Sequence, residues 1–117
     1  MTNTGKYGEL QAAKYLRKKK YNIIDVNYRI RLGEIDIIAE NDNYLIFVEV
    51  KTRDVSSYIE PKEFVTKLKQ RKIIMTAKCY LSNFDTNKQP RFDVIEIYTK
   101  YGRVKKINHI ENAFELE

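Results

Sequence analysis

The chain has 117 residues, enough for one ordinary domain and too few for two. Hydrophobic residues make up 43% and charged residues 32%, which excludes a disordered polyelectrolyte, and no apolar run approaches a membrane span. The net charge of +6 biases the chain toward polyanionic partners, and the one cysteine, Cys79, excludes an intrachain disulfide and a cysteine zinc site.

Residues 5–20 read as a helix. Leu10, Ala13 and Leu16, with Ala12 beside them, form a narrow apolar stripe at helical spacing. The basic run "RKKK" at 17–20 suits the negative end of the helix dipole. "YNIIDVNYRI" at 21–30 is rich in β-branched and aromatic residues and reads as a strand. "GEIDIIAE" at 33–40 and "YLIFVEVKT" at 44–52 read as two more strands, joined as a hairpin through "NDN". A helix is expected from Pro61 to about Leu81, with Phe64, Val65, Leu68, Ile73, Ala77, Tyr80 and Leu81 on its apolar side. "RFDVIEIYT" at 91–99 and "RVKKINHI" at 103–110 are strands, the second at an edge, and the last few residues form a short tail. The expected fold class is α/β, a mixed sheet flanked by helices in the order α-β-β-β-α-β-β, in a single domain over residues 1–117. The N-terminus carries no apolar signal region, so a cytoplasmic, non-membrane protein is expected.

The second and third strands carry the chemistry. Side chains alternate along a strand, so Glu49 and Lys51 share a face with Leu45 and Phe47, and Asp36 shares one with Glu34 and Ile38. A two-residue loop at Asp42-Asn43 sets Asp36 opposite Glu49. A loop at Asn41-Asp42 makes them diagonal neighbours, and an odd loop without a bulge separates them. The even loops bring the two carboxylates within roughly 5–8 Å on one sheet face. Two carboxylates that close repel unless a proton or cation intervenes. Oxygen ligands without cysteine or paired histidine point to Mg²⁺ or Mn²⁺. Lys51 on the same face would orient a water or offset charge on a phosphate. The competing reading is an ordinary cross-strand ion pair on a solvated face. Glu9 falls on or beside the apolar stripe of the first helix, where a carboxylate is costly unless paired or metal-bound. Lys69 and Gln70 on the second helix are further candidates. His109 and Cys79 receive no role, as a surface histidine and a packing cysteine.

"GEIDII" followed by "FVEVKTR" resembles the PD-(D/E)XK nuclease superfamily. More closely, "GKYGELQAAKYL", "NYRIRLGEIDIIA", "KQRKI" and "RFDVIEI" make the chain similar, nearly end to end, to the YraN-type (UPF0102) family of endonuclease-like proteins, related to Holliday junction resolvases. The resemblance implies a restriction-endonuclease-like fold and metal ligands at Asp36, Glu49 and the backbone carbonyl of Val50. It implies a catalytic lysine at Lys51, a helix glutamate at Glu9 that is a further candidate ligand, and a polar helix residue at Gln70 or Lys69. The implied function is Mg²⁺- or Mn²⁺-dependent hydrolysis of DNA, structure-selective for branched forms, with a homodimer as the expected assembly. The basic clusters "RKKK", "KLKQRK" and "KYGRVKK" would hold the phosphate backbone. The alternatives are a binding module that keeps the fold without cleaving and a domain that meets an acidic protein partner.

Overall fold

A computed structural model describes residues 4–55 and 65–115. The elements run α1 (Thr4–Lys18), β1 (Asn22–Ile30), β2 (Gly33–Glu40), β3 (Tyr44–Asp54), α2 (Lys67–Asn83), β4 (Gln89–Lys100) and β5 (Arg103–Phe114). They form one five-stranded sheet in the order β1-β2-β3-β4-β5. β3 and β4 are parallel and the other neighbours antiparallel. A parallel pair needs a crossover, and α2 supplies it. This is the α/β architecture expected from the sequence, with β5 at an edge.

Local chemistry explains the joints. α1 ends where Lys20 takes a left-handed backbone at φ 73, with Tyr21 N–H donating to the Leu16 carbonyl and Lys20 N–H to that of Arg17. That is a Schellman cap built without glycine. In the β2–β3 turn the Asn41 side-chain oxygen accepts from the N–H groups of Asn43 and Tyr44. The β4–β5 turn uses left-handed Tyr101 and Gly102, the pair a tight hairpin demands. At the start of α2 the Thr66 hydroxyl accepts from Lys69 N–H.

Each face of the sheet is covered by one helix. α1 lays Ala12, Ala13 and Leu16 over Ile37, Ala39, Ile46, Val48, Ile95 and Ile97. α2 lays Ile73, Ile74, Ala77 and Tyr80 over Ile35, Ile38, Leu45, Phe47, Phe92 and Val94. No described helix is long and apolar enough to cross a membrane.

Several expectations are corrected. α2 begins at Lys67 rather than Pro61, because Thr66 is extended and caps it; Pro61 and Phe64 lie outside the described residues. Leu10 and Leu68 are 64% and 61% exposed, so neither belongs to its helix's buried side. Residues 111–114 are strand rather than tail, since β5 continues to Phe114, whose ring stacks on Phe92. His109 is not a surface residue, its side chain being 4% exposed.

Candidate metal-dependent active site

The β2–β3 ladder pairs Glu40 with Leu45 through to Ile37 with Val48, and Asn41 N–H donates to the Tyr44 carbonyl. The loop is therefore Asp42-Asn43, and Asp36 lies across from Glu49. The ladder goes no further, and there the strands part. Asp36 Oδ2 accepts the Val50 N–H at 2.8 Å, so a side chain takes the place of a strand carbonyl. This bond fixes the carboxylate at the mouth of the fork.

The fork gathers acids from three elements. Glu9 of α1 and Glu34 and Asp36 of β2 each bring a carboxylate oxygen within 4.8 Å of the others. Asp36 also meets Glu49 of β3 across the fork. Asp36 is 9% exposed and the Glu49 side chain 11%. Burial, together with the hydrogen bond and charge of Glu49, pushes the Asp36 carboxyl up to about 8, against the Val50 N–H. Burial and the neighbouring Asp36 charge also raise Glu9, against a hydrogen bond from the Asn27 side chain.

Two glycines let the helices reach this point. A Cβ on Gly8 would lie 1.9 Å from Thr52 Oγ1, so α1 sits directly against β3 one residue before Glu9. A Cβ on Gly33 would lie 2.5 Å from Thr76 Oγ1 and 3.0 Å from the Lys72 carbonyl, so α2 sits against β2 beside Glu34. With Thr52 under α1, alternation puts Glu49 and Lys51 on the α2 side. Lys51 is half-buried and stands in register with Glu96 of β4.

On α2 it is Lys69 that reaches the site, with Nζ 3.5 Å from Glu49 Oε2. Gln70 instead donates its amide to the Val65 carbonyl at 2.9 Å, inside the helix start. Sequence reasoning passed over Glu34 and Asn27. Glu34 has a legible signal, two residues before Asp36 on a strand. Asn27 has none, because its left-handed φ of 53 and its bond to Glu9 arise only on folding. Glu9, Asn27 and Glu34 line a shallow cleft of about 250 Å³ with Gly5, Lys6 and Arg29, where Arg29 also pairs with Glu34.

The matching family model covers residues 8–97 and is described as the uncharacterised protein family UPF0102. The chain belongs to UPF0102. It is 46% identical to a UPF0102 protein of Caldanaerobacter subterraneus over 94% of this chain and 93% of that one. It is 45% identical to one of Persephonella marina, over 97% and 94% of the two chains, and 46% identical to one of Clostridioides difficile, over 94% and 95%. The matched span contains Glu9, Asp36, Glu49, Lys51, Lys69 and Gln70.

The carboxylate set fits a hard divalent cation. Its donors are all oxygen, the ligand type that hard cations take. Among the described residues Glu49 Oε2 is buried and accepts no hydrogen bond. A buried carboxylate oxygen without a donor costs free energy that a cation would recover. Protonation of Asp36, whose carboxyl is raised to about 8, is the other way of relieving the same repulsion.

Proposed function

We propose that this UPF0102 protein is a Mg²⁺- or Mn²⁺-dependent endonuclease that hydrolyses DNA phosphodiester bonds, with a preference for branched DNA. The observation that carries the reading is the buried Asp36–Glu49 pair at the fork of β2 and β3, joined by Glu9 and Glu34. Asp36 and Glu49 would hold the cation, with Glu9 as a further ligand. A divalent ion in such a site polarises a phosphate oxygen and lowers the pKa of a bound water.

The protein's own groups do the rest. The Val50 N–H keeps Asp36 turned toward Glu49. Lys51, on the Glu49 side of β3, offsets negative charge that grows on the phosphate during attack. Lys67, Lys69, Arg71 and Lys72 along the start of α2, with Arg29 and Arg31 at the β1–β2 turn, offer cations to the DNA backbone. These contacts position the strand without reading its sequence. The chain shows no sequence-reading motif, which favours recognition of DNA shape.

The test is cleavage of a panel of four-way junction, flap, single-stranded and duplex DNA with Mg²⁺, Mn²⁺ or EDTA. Metal-dependent cutting that Glu49→Ala and Lys51→Ala each reduce by about 10³-fold or more is the expected result. Binding that weakens steeply with salt, but no cutting under any condition, would leave a nucleic-acid binding module.

A further inference from the structure

We propose that Lys69 is a resident counter-ion of Glu49 that a divalent cation displaces, freeing its ammonium for a phosphate of the DNA. The inference rests on the metal-site reading above and adds a coupling between metal and DNA. Lys69 Nζ lies 3.5 Å from Glu49 Oε2, the same buried oxygen that accepts no hydrogen bond among the described residues. The two partners differ sharply in burial, with the Lys69 side chain 50% exposed and that of Glu49 11%. One partner is held by the sheet and the other is a long, half-solvated stem that swings at little cost.

The backbone at Lys69 is fixed while the side chain is not. Its N–H donates to the Thr66 cap, and the next residue, Gln70, is tied to Val65. A lysine in the first turn of a helix is opposed by the dipole, and this first turn holds no acid. The helix itself gains nothing from a cation there; Glu49 and an incoming polyanion do. Arg29 plays a comparable part on the other side of the cluster, where it pairs with Glu34.

A metal ion and an ammonium group cannot share one carboxylate oxygen without strong repulsion. Binding the ion therefore expels Lys69 from Glu49. The expelled ammonium adds a cation beside the position where a phosphate would meet the ion. By linkage, DNA that captures Lys69 also tightens metal binding by the same factor.

The experiment measures Mn²⁺ binding to the whole protein by electron paramagnetic resonance, without DNA, for wild type, Lys69→Met and Lys69→Arg. The expected result is roughly two- to fivefold tighter Mn²⁺ binding in Lys69→Met, the range for a half-exposed pair, and wild-type binding in Lys69→Arg. A second arm measures junction DNA binding with and without Ca²⁺; the gain that Ca²⁺ gives the wild type should shrink in Lys69→Met. Equal or weaker Mn²⁺ binding in Lys69→Met overturns the counter-ion role alone. Absence of Mn²⁺ binding in the wild type overturns it together with the metal site. A Lys69→Met gain in a protein that cuts no DNA supports the counter-ion role and overturns only the nuclease reading.

Discussion

Asp36 carries the largest electrostatic cost visible at the site. Its carboxyl is raised to about 8 by burial and by Glu49, so folding is opposed once this group must ionise. The unfolded chain holds Asp36 near its ordinary value of 3.8. The folded state therefore binds more protons between the two values. Stability from this group is full below about pH 4 and is lost as pH rises toward 8. Asp36→Asn, which stays neutral and keeps an oxygen for the Val50 N–H, should flatten that dependence in metal-free protein. It should raise stability at pH 8 by about 1–3 kcal/mol, checked by urea unfolding in EDTA at pH 5 and pH 8. A variant no more stable than wild type at pH 8 would mean that the pair's repulsion is already relieved. Stability surrendered at a carboxylate pair fits a site built for a cation, which is why the same substitution is expected to abolish cutting.

At the scale of elements, the site exists because two helices approach the sheet unusually closely. Gly8 permits this for α1 and Gly33 for α2. Alanine at position 8 gains helix propensity of about 1 kcal/mol but meets Thr52. We expect Gly8→Ala to be destabilising by about 1–2 kcal/mol net and to lower cleavage more than stability, because α1 must lift Glu9 away from Asp36. Thr52→Ala removes the closest clashing atom, so the double variant should recover part of the loss. A double-mutant cycle with unfolding and activity as readouts checks this, and a coupling below about 0.5 kcal/mol would refute it. The β2–β3 pair acts at the same scale. Its Asn41-anchored turn sets the register, and the register decides that Asp36 and Glu49 meet.

Across the whole molecule, a second buried network holds the end of the fold away from the site. Asp93, fully buried, receives Arg91 at 2.8 and 2.9 Å, His109 Nε2 at 2.7 Å and the Asn112 N–H at 3.0 Å. With Nε2 donating to Asp93, His109 Nδ1 is left to accept from the Tyr15 hydroxyl at 3.1 Å. Arg91 reaches the Tyr21 hydroxyl and faces the Tyr44 ring. The network thereby ties α1, the α1–β1 joint, β3, β4 and β5 together. Burial alone would raise Asp93, but His109, Arg91 and the Asn112 N–H together hold it below its ordinary 3.8. Its contribution is present above about pH 4 and is lost as pH falls through the lowered value. Asp93 thus costs stability on the acid side while Asp36 costs it on the alkaline side. His109→Ala removes one partner from a buried carboxylate and should lower stability by about 2–4 kcal/mol at pH 7, measured by chemical unfolding. Junction binding at 25 °C should change little, since the network does not touch the acidic cluster.

The sequence by itself determined the order of elements, the two carboxylates and their lysine, because strand alternation and turn residues are local signals. "GEID" and "VEVK" placed Asp36, Glu49 and Lys51 on strands, and "NDN" limited the register to a few choices. Tertiary structure decided the remainder. Which even loop formed depended on Asn41 capping its own turn. Lys69 rather than Gln70 reaching Glu49 depended on where Thr66 starts α2, and helical spacing from Pro61 gave no sign of that cap. Leu10 and Leu68 fit an apolar period yet stay exposed, since period fixes a face but not what covers it. Asn27 at Glu9 and His109 on Asp93 join residues far apart in the chain, and no local pattern encodes a partner that only the packed sheet brings within reach.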